Sequence, residues 1–364
     1  MKWIWQLSDW RNFPYKSERL EEYEQQFIDL AGQALGTLKH IQKDGQTQLR
    51  VELLRNEALL TSEIEGEYLD KDSLQSSIQK QFGLSVSKEN KFLKEQGVSD
   101  MLMEVYRDYN ATLSHSFIQS LHKCLFRGQR KDAGQYREHE APMQVVSGSI
   151  ANPTVHYEAP PSSQVKAELE ALISWHNEAH LNRSVPPLAV AAITHLWFET
   201  IHPFADGNGR VGRALAEKSL SQSLKRPALI SLSSAIQKKK SAYYDAFATV
   251  QFGKEIEITP WMEYFQPLVI EAQNLSLTTI EFLIKKSRFL QTYQPQVNER
   301  QNKVLLRVLE EGADGVEGGL SARNYTSITQ APATTVTRDL NDLVKKGALT
   351  KTGEKKSTRY WLNL

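Results

Sequence analysis

The sequence predicts a mainly α protein: a helical bundle with one small β-hairpin flap, preceded by a helical N-terminal region and followed by a winged helix-turn-helix segment. Three observations carry this. Apolar residues recur at helical spacing through most of the chain as far as residue 291. One stretch breaks that rhythm: Met143-Gln144-Val145-Val146, then Ser147-Gly148-Ser149, then Val155-His156-Tyr157, with Pro153, Pro160 and Pro161 framing its exit. It reads as a hairpin or extended flap. Beyond Gln294-Pro295-Gln296 the pattern changes to three short helices and a hairpin.

The chain has 364 residues, enough for two or three domains. Three are expected: a helical region over 1–88, a helical core over 89–291 and a terminal domain over 297–364. Lys and Arg number 44 against 43 Asp and Glu, a net charge of +1. That excludes binding to nucleic acid or a membrane surface by overall charge, so any basic patch is local. The single cysteine, Cys124, excludes an internal disulfide framework and a cysteine-cluster zinc site. No apolar run is long enough to span a bilayer, and Met1-Lys2-Trp3-Ile4 is not signal-like. A cytoplasmic location is the default expectation.

Residues 1–16 carry Trp3, Trp5, Trp10, Phe13 and Tyr15 and read as an arm pinned to the helical body. Ser17 can cap a helix reaching about Gln42, with Leu20, Tyr23, Phe27 and Leu30 on one stripe. Asp44-Gly45 breaks it, and a second helix starts near Gln46. This helix ends at Thr61-Ser62-Glu63-Ile64-Glu65-Gly66, where Gly66 fits a C-cap. Glu65 then lies at the unfavourable end of the helix dipole and needs a cationic partner. Asp72 caps a short helix to about Gln81, and 88–110, 114–127 and 163–181 read as further helices. Gly134-Gln135-Tyr136-Arg137 leads into the flap. Residues 230–251 are expected to be helical, with Lys238-Lys239-Lys240 as a solvated face. One or two long helices follow over 258–291.

The densest chemistry lies in His202-Pro203-Phe204-Ala205-Asp206-Gly207-Asn208-Gly209-Arg210-Val211-Gly212-Arg213. Apolar helical runs flank it, Pro187 to Ile201 before and Val211 to Leu224 after. It is therefore a loop feeding a helix N-terminus, where free N–H groups and the dipole attract phosphate. Gly207 and Gly209 allow close approach of an anion. His202 suits proton abstraction from an alcohol. Asp206 is a hard oxygen ligand for Mg²⁺. Arg210 and Arg213 lie one turn apart, so both can face a polyphosphate. Base, metal ligand, anion nest and arginines together are the parts of a nucleotidyl or phosphoryl transfer site.

Other signals weigh less. Gly207-x-Gly209-x-x-Gly212 matches the dinucleotide fingerprint literally, but a helix rather than a strand precedes it. His176 and His180 have helical metal spacing without a third ligand and read as surface histidines. His195 reads as a packed core residue.

The central stretch resembles the signature of the Fic family, His-Pro-Phe-x-Asp-Gly-Asn-Gly-Arg-x-x-Arg, at every specified position. Gly134-x-Tyr136-Arg137, the flap and the approach Leu196-Trp197-Phe198-Glu199-Thr200-Ile201 are also similar to that family. The resemblance implies a Mg²⁺-dependent protein adenylyltransferase that moves AMP from ATP to a Ser, Thr or Tyr hydroxyl of a target protein. His202 would be the general base and Asp206 the metal ligand. Gly207, Asn208 and Gly209 would form the anion hole, within an ATP-binding stretch that continues through Arg210, Val211, Gly212 and Arg213. Tyr244, with Gln251 beside it, would meet the adenine. The flap around Gln144 to Ser147 would align the target by strand addition. Thr61-x-x-x-Glu65-Gly66 resembles the family's inhibitory-helix motif, so Glu65 would pair with Arg213 and obstruct the γ-phosphate. The same glutamate could support removal of AMP from a target.

Two alternatives stand beside this. One keeps a transferase but moves phosphate or UMP. The other is a nucleotide-sensing DNA-binding regulator acting through 297–364. From Ala333 onward, Lys and Arg number seven against three Asp and Glu. Ala333 to Arg338 could meet a DNA groove, or the same domain could serve a homodimer or target docking.

Overall fold

The computed structural model describes residues 2–16, 18, 20–39, 41, 43–86, 92–149, 152–312 and 316–364. The expected cap Ser17 lies outside them. In chain order the elements are β1 (Lys2–Trp3), α1 (Glu21–Lys39), α2 (Lys43–Ile64), α3 (Lys71–Gln81), α4 (Leu93–Arg107) and α5 (His115–Leu125). The flap strands β2 (Gln144–Ser149) and β3 (Asn152–Glu158) follow, then α6 (Val165–Asn182), α7 (Pro187–Ile201), α8 (Asn208–Leu224), α9 (Leu232–Lys238) and α10 (Lys240–Gln251). The last are β4 (Phe252–Gly253), α11 (Thr259–Tyr293), α12 (Glu299–Glu310), α13 (Ala322–Thr329), α14 (Ala333–Lys345), β5 (Leu349–Thr352) and β6 (Arg359–Leu362).

The chain forms two compact units. One holds residues 1–39 and 46–276, the other 40–45 and 277–364. The units part inside α11, ahead of the polar break at Gln294-Pro295-Gln296, and residues before and after 88 pack into the same first unit.

In the first unit α7 is central. Every residue from Leu188 to Ile201 is buried, as expected of a helix that is apolar all round. It packs on α8, whose residues Arg210 to Ser221 are also buried, and on α6. Pro187 occupies the first turn of α7. The N–H groups of Leu188 and Ala189 donate to the Glu24 carboxylate of α1 at 3.0 and 3.1 Å, which answers donors a helix start cannot satisfy itself. The N-terminal arm is pinned as expected: β1 pairs antiparallel with β4, and Trp10 and Phe13 pack on Trp197 at 5.8 and 5.0 Å. The flap is an antiparallel pair with an irregularity at Val145/Val146.

Several boundaries differ from expectation. Asp70, not Asp72, caps α3 by accepting from Ser73 N at 2.8 Å; its backbone is extended, with ψ 120°, whereas Asp72 is already inside the first turn. Asp44-Gly45 lies inside the first turn of α2 rather than before it. The helical stretch 230–251 is split at Lys239, whose φ of −135° leaves the helical region. Lys238 and Lys239 are exposed as expected, and two of the three lysines also make contacts. Lys239 Nζ bonds Glu271 at 2.7 Å and Lys240 Nζ bonds the Ile64 carbonyl at 2.6 Å. His176 is buried rather than superficial, with Nδ1 3.0 Å from Thr194 Oγ1, and His180 Nε2 lies 3.1 Å from Ser219 Oγ.

The second unit has its own core of Val304, Leu305, Tyr325, Val336, Leu340 and Leu343. Three helices precede an antiparallel hairpin, β5 on β6, and a lone bridge joins Leu320 to Tyr360. Asn298 and Ser321 cap α12 and α13 with reciprocal capping boxes. Among the described residues no helix is long and apolar enough to cross a membrane.

Candidate active site

The loop between α7 and α8 is held from behind. His202 terminates α7 with φ 49° and ψ 59°, a left-handed conformation costly for a residue with a Cβ. Arg137 stabilises it. Its Nε donates to His202 O at 2.8 Å, its Nη2 to Ile201 O at 3.2 Å and its Nη1 to Ser162 Oγ at 2.9 Å. Its own N–H donates to Pro203 O at 2.9 Å. Inside the loop Asn208 clasps Phe204: Oδ1 accepts from Phe204 N at 3.0 Å and Nδ2 donates to Phe204 O at 2.9 Å. The Asn208 side chain is thereby spent on the loop, leaving its backbone to face a ligand. His122 stacks flat on Phe204 at 3.9 Å. Its Nδ1 accepts from Gly134 N at 2.8 Å, so Nε2 carries the proton and donates to Asp206 O at 3.1 Å. Burial pushes this imidazole down to about 4, so it stays neutral as those bonds require.

The anion end is the start of α8. Gly207 takes φ 78°, and a Cβ there would stand 2.6 Å from the Phe126 ring. Over Gly209 the space is already taken: a Cβ would meet Glu65 Oε1 at 2.3 Å and Arg213 Nη1 at 3.1 Å. Glu65 therefore occupies the place where the nest and the dipole would hold an anion. The side-chain positions of Val211 and Gly212, both in the expected ATP-binding stretch, face the protein interior. Val211 is fully buried in the apolar core, and Gly212 abuts Glu199 and His195.

Both arginines are engaged by the end of α2 and the turn after it. Arg213 Nη2 lies 2.9 Å from Glu65 Oε1. Its Nε donates to Thr61 Oγ1 at 2.9 Å and its Nη2 to Thr61 O at 2.8 Å. Burial alone would lower Arg213, but the charge and hydrogen bond of Glu65, with Tyr243 and Glu199, together outweigh it and the guanidinium is raised above its usual value. Arg210 Nη1 donates to Glu67 Oε2 at 2.6 Å. Gly66, with φ 79°, makes the turn that presents Glu65 and Glu67 to the loop. Deeper in, Glu57 fastens α2 to the start of α9, accepting from Ser231 Oγ at 3.1 Å and Ser233 N at 3.0 Å.

A cleft of about 650 Å³ lies over this arrangement, lined by Glu65, His202, Gly209, Arg213, Gln144 of the flap and Tyr244. His202 is 16% exposed, with Nδ1 3.3 Å from Glu199 O. Burial pushes its imidazole down to about 4, so the ring is an unprotonated acceptor at neutral pH. Tyr244 is half exposed at the rim, whereas Tyr243 is buried with its hydroxyl 2.7 Å from His195 Nε2. Gln251 is buried, donating through Nε2 to Thr200 Oγ1 at 2.8 Å.

Asp206 is 51% exposed, with Oδ1 accepting from Gly207 N at 2.6 Å and Oδ2 3.4 Å from Arg130 Nη1. Among the described residues no group of three or more His, Cys, Asp and Glu could hold a metal. A lone accessible carboxylate fits Mg²⁺ only where a polyphosphate supplies further oxygens, which is how this small, hydrated cation is commonly bound. Sequence reasoning missed Arg137's clamp, His122, Glu57 and Glu67. Each acts across the chain, and none has a periodic or contiguous signature.

The comparisons with known proteins agree with this helical pair and its loop. Residues 112–220 match the model of the Fic/DOC family, and residues 3–84 match one described as a domain of unknown function, DUF4172. The chain carries a Fic/DOC-family domain. Over 127 residues it is 29% identical to a probable protein adenylyltransferase of Aquifex aeolicus, a match spanning 35% of this chain and 35% of that relative. A Fic family protein from Desulfovibrio desulfuricans G20 has a similar structure, with TM-score 0.53 and 21% identity over 94% of this chain and 96% of that one. So does a Fic domain containing signaling protein from Bacteroides thetaiotaomicron, with TM-score 0.53 and 17% identity over 71% of this chain and 98% of that one. Residues 134–508 of Fic-1 from C. elegans give 0.51 and 20%, over 73% of each chain.

Proposed function

We propose that this chain transfers AMP from ATP to a hydroxyl of a target protein, and that Glu65 holds the activity down. The observation that carries the reading is the Glu65 carboxylate seated over Gly209 and paired with Arg213 beside an unprotonated His202. A carboxylate in an anion nest marks where a phosphate would compete. His202 takes the proton of the attacking hydroxyl. Gly207, the Asn208 backbone and Gly209 bind the phosphates with Arg210, and Arg213 binds the γ-phosphate once Glu65 withdraws. Asp206 would hold Mg²⁺, which offsets polyphosphate charge when bound. Tyr244, at the cleft rim, meets the adenine, and the edge of the flap aligns the target segment. The same site, with Glu65 beside His202, also suits water attack on the phosphorus of an AMP-modified side chain, which releases AMP and restores the hydroxyl.

The test is incubation with ATP labelled at the α-phosphate. Label should enter Glu65→Gly protein and not the Glu65→Gly/His202→Ala double variant; equal labelling of both sinks the reading. Intact mass separates AMP from phosphate or UMP.

A second reading has one observation behind it. The outward face of α14 presents Thr334, Thr337, Arg338, Asn341 and Lys345, all exposed and none acidic. That composition suits a nucleic-acid groove, as in a winged helix. Full-length protein titrated with duplex DNA should bind more weakly as salt rises; no binding at low salt removes this reading.

A further inference from the structure

Glu199 is a carboxyl that none of these roles employs. It lies on the last turn of α7 with Oε2 3.8 Å from His202 Nδ1, and is 10% exposed. Its Oε1 is buried without a hydrogen-bond partner. An unsatisfied buried carboxyl is costly, so a site that keeps one invites a functional explanation. The fold also makes room for it. A Cβ on Gly212 would stand 2.3 Å from Glu199 Oε1 and 3.1 Å from His195 Nδ1. A glycine inside a helix costs about 0.5–1 kcal/mol relative to alanine, and here it seats this carboxyl.

We propose that Glu199 is a positioning residue for His202: its carboxylate takes the Nδ1 side of the ring, leaving Nε2 to accept the proton of the target hydroxyl. The inference rests on the adenylyl-transfer reading. In that reaction the hydroxyl oxygen bonds to the α-phosphorus and its proton passes to His202 Nε2. The bond from the α-phosphorus to the bridging oxygen breaks, and pyrophosphate leaves with the electron pair. The main-chain carbonyl of Glu199, 3.3 Å from Nδ1, already orients the neutral ring. The side-chain charge matters only when the ring becomes imidazolium, so it favours the transition state over the ground state.

The charged and titratable neighbours of Glu199 are Arg213, Glu65, His202, His195, Tyr157 and Tyr243. Burial pushes the carboxyl up to about 8; Arg213 opposes this and Glu65 adds to it. Withdrawal of Glu65 removes a like charge from beside Glu199. Ionisation of Glu199 is thus favoured in the step that opens the nucleotide site.

The test uses the Glu65→Gly protein as parent. Glu199→Gln keeps the shape and cannot ionise. We expect kcat to fall ~10–100-fold, less than the ~10²–10⁴-fold that general-base assistance as a whole supplies, with KM for ATP nearly unchanged. The rise of kcat between about pH 6 and 9, expected in the parent as Glu199 ionises, should disappear. Gly212→Ala, which displaces the carboxyl, should lose kcat likewise. An unchanged kcat, or a loss carried by KM with the pH profile intact, overturns the proposal. Nitrogen-15 NMR of His202 tests the link without turnover. The ring signals should move as Glu199 ionises between about pH 6 and 9, and Glu199→Gln should abolish that movement; a ring that does not sense this ionisation overturns the proposal. A parent that incorporates no AMP while this NMR shift is present places the fault in the adenylyl reading, not in the Glu199–His202 contact.

Discussion

Glu65 Oε1 lies 2.9 Å from Arg213 Nη2, inside a pocket where the arginine side chain is 1% exposed. The arginine end is therefore poorly screened by salt, while the Glu65 carboxylate, 31% exposed, keeps an edge to solvent. Thr61 adds two bonds to the same guanidinium, and Glu67 takes Arg210. One helix end and the turn behind it therefore hold both arginines of the loop.

Glu65→Gly should tighten ATP binding. A charge-assisted contact to a buried arginine is worth about 1.5–3 kcal/mol, or roughly 10- to 100-fold in affinity. Isothermal titration with ATP and Mg²⁺ measures it. Unchanged affinity would mean that Glu65 does not compete with nucleotide.

Glu67→Gln should act in the same direction and more weakly. Arg210 is 4% exposed and among the described residues keeps only Asp206 Oδ1, 3.8 Å away, as a further carboxylate partner. Freeing it should cost about 1–3 kcal/mol of stability without nucleotide. ATP should restore this, so the ATP-induced rise in Tm should be larger than in the wild type. Thermal unfolding with and without ATP checks both halves. A lower Tm without the larger nucleotide shift would make Glu67 a structural residue only.

How far this site was legible in the sequence depends on separation along the chain. His202 to Arg213 form one contiguous run, so base, nest and arginines could be placed by spacing. The flanking helices were legible because the burial of α7 makes its residues apolar throughout. Glu65 announced only the need for a cation; the resemblance to Fic proteins supplied Arg213. Glu67, His122 and Glu57 left no signal, since each meets its partner through tertiary packing, and Arg137 stood out only within the resemblance, not as the clamp it forms. Gly212 matched a phosphate-loop pattern, yet the structure uses its missing Cβ to seat Glu199. Pattern alone cannot tell which face of a helix start is crowded.

Acid should destabilise the loop through His122. Burial holds this imidazole at about 4 against a usual 6.5. The unfolded chain therefore binds the proton first as pH falls. The stability gained by keeping the ring neutral is complete above 6.5 and is lost between 6.5 and 4, up to about 3 kcal/mol. Protonation of Nδ1 would also break the bond from Gly134 N. His122→Phe keeps a ring on Phe204 and removes the titration. Its Tm should be lower than wild type at pH 7 and should fall less steeply between pH 6.5 and 4. Parallel slopes would assign the acid sensitivity to other groups.

Relief of inhibition should be local to the turn at Gly66 rather than a swing of α2. Leu54, Ala58 and Ile64 are in the core, and Lys240 holds the Ile64 carbonyl. Glu57 accepts from Ser231 and Ser233 in a fully buried position where burial raises its pKa. Glu57→Gln places an amide against those donors and should cost about 1–3 kcal/mol. If α2 stays seated and only residues 65–67 move, chemical denaturation should show this loss while AMP incorporation stays at the wild-type level. A Glu57→Gln protein labelled as strongly as Glu65→Gly would show instead that the whole helix must leave for the arginines to be freed.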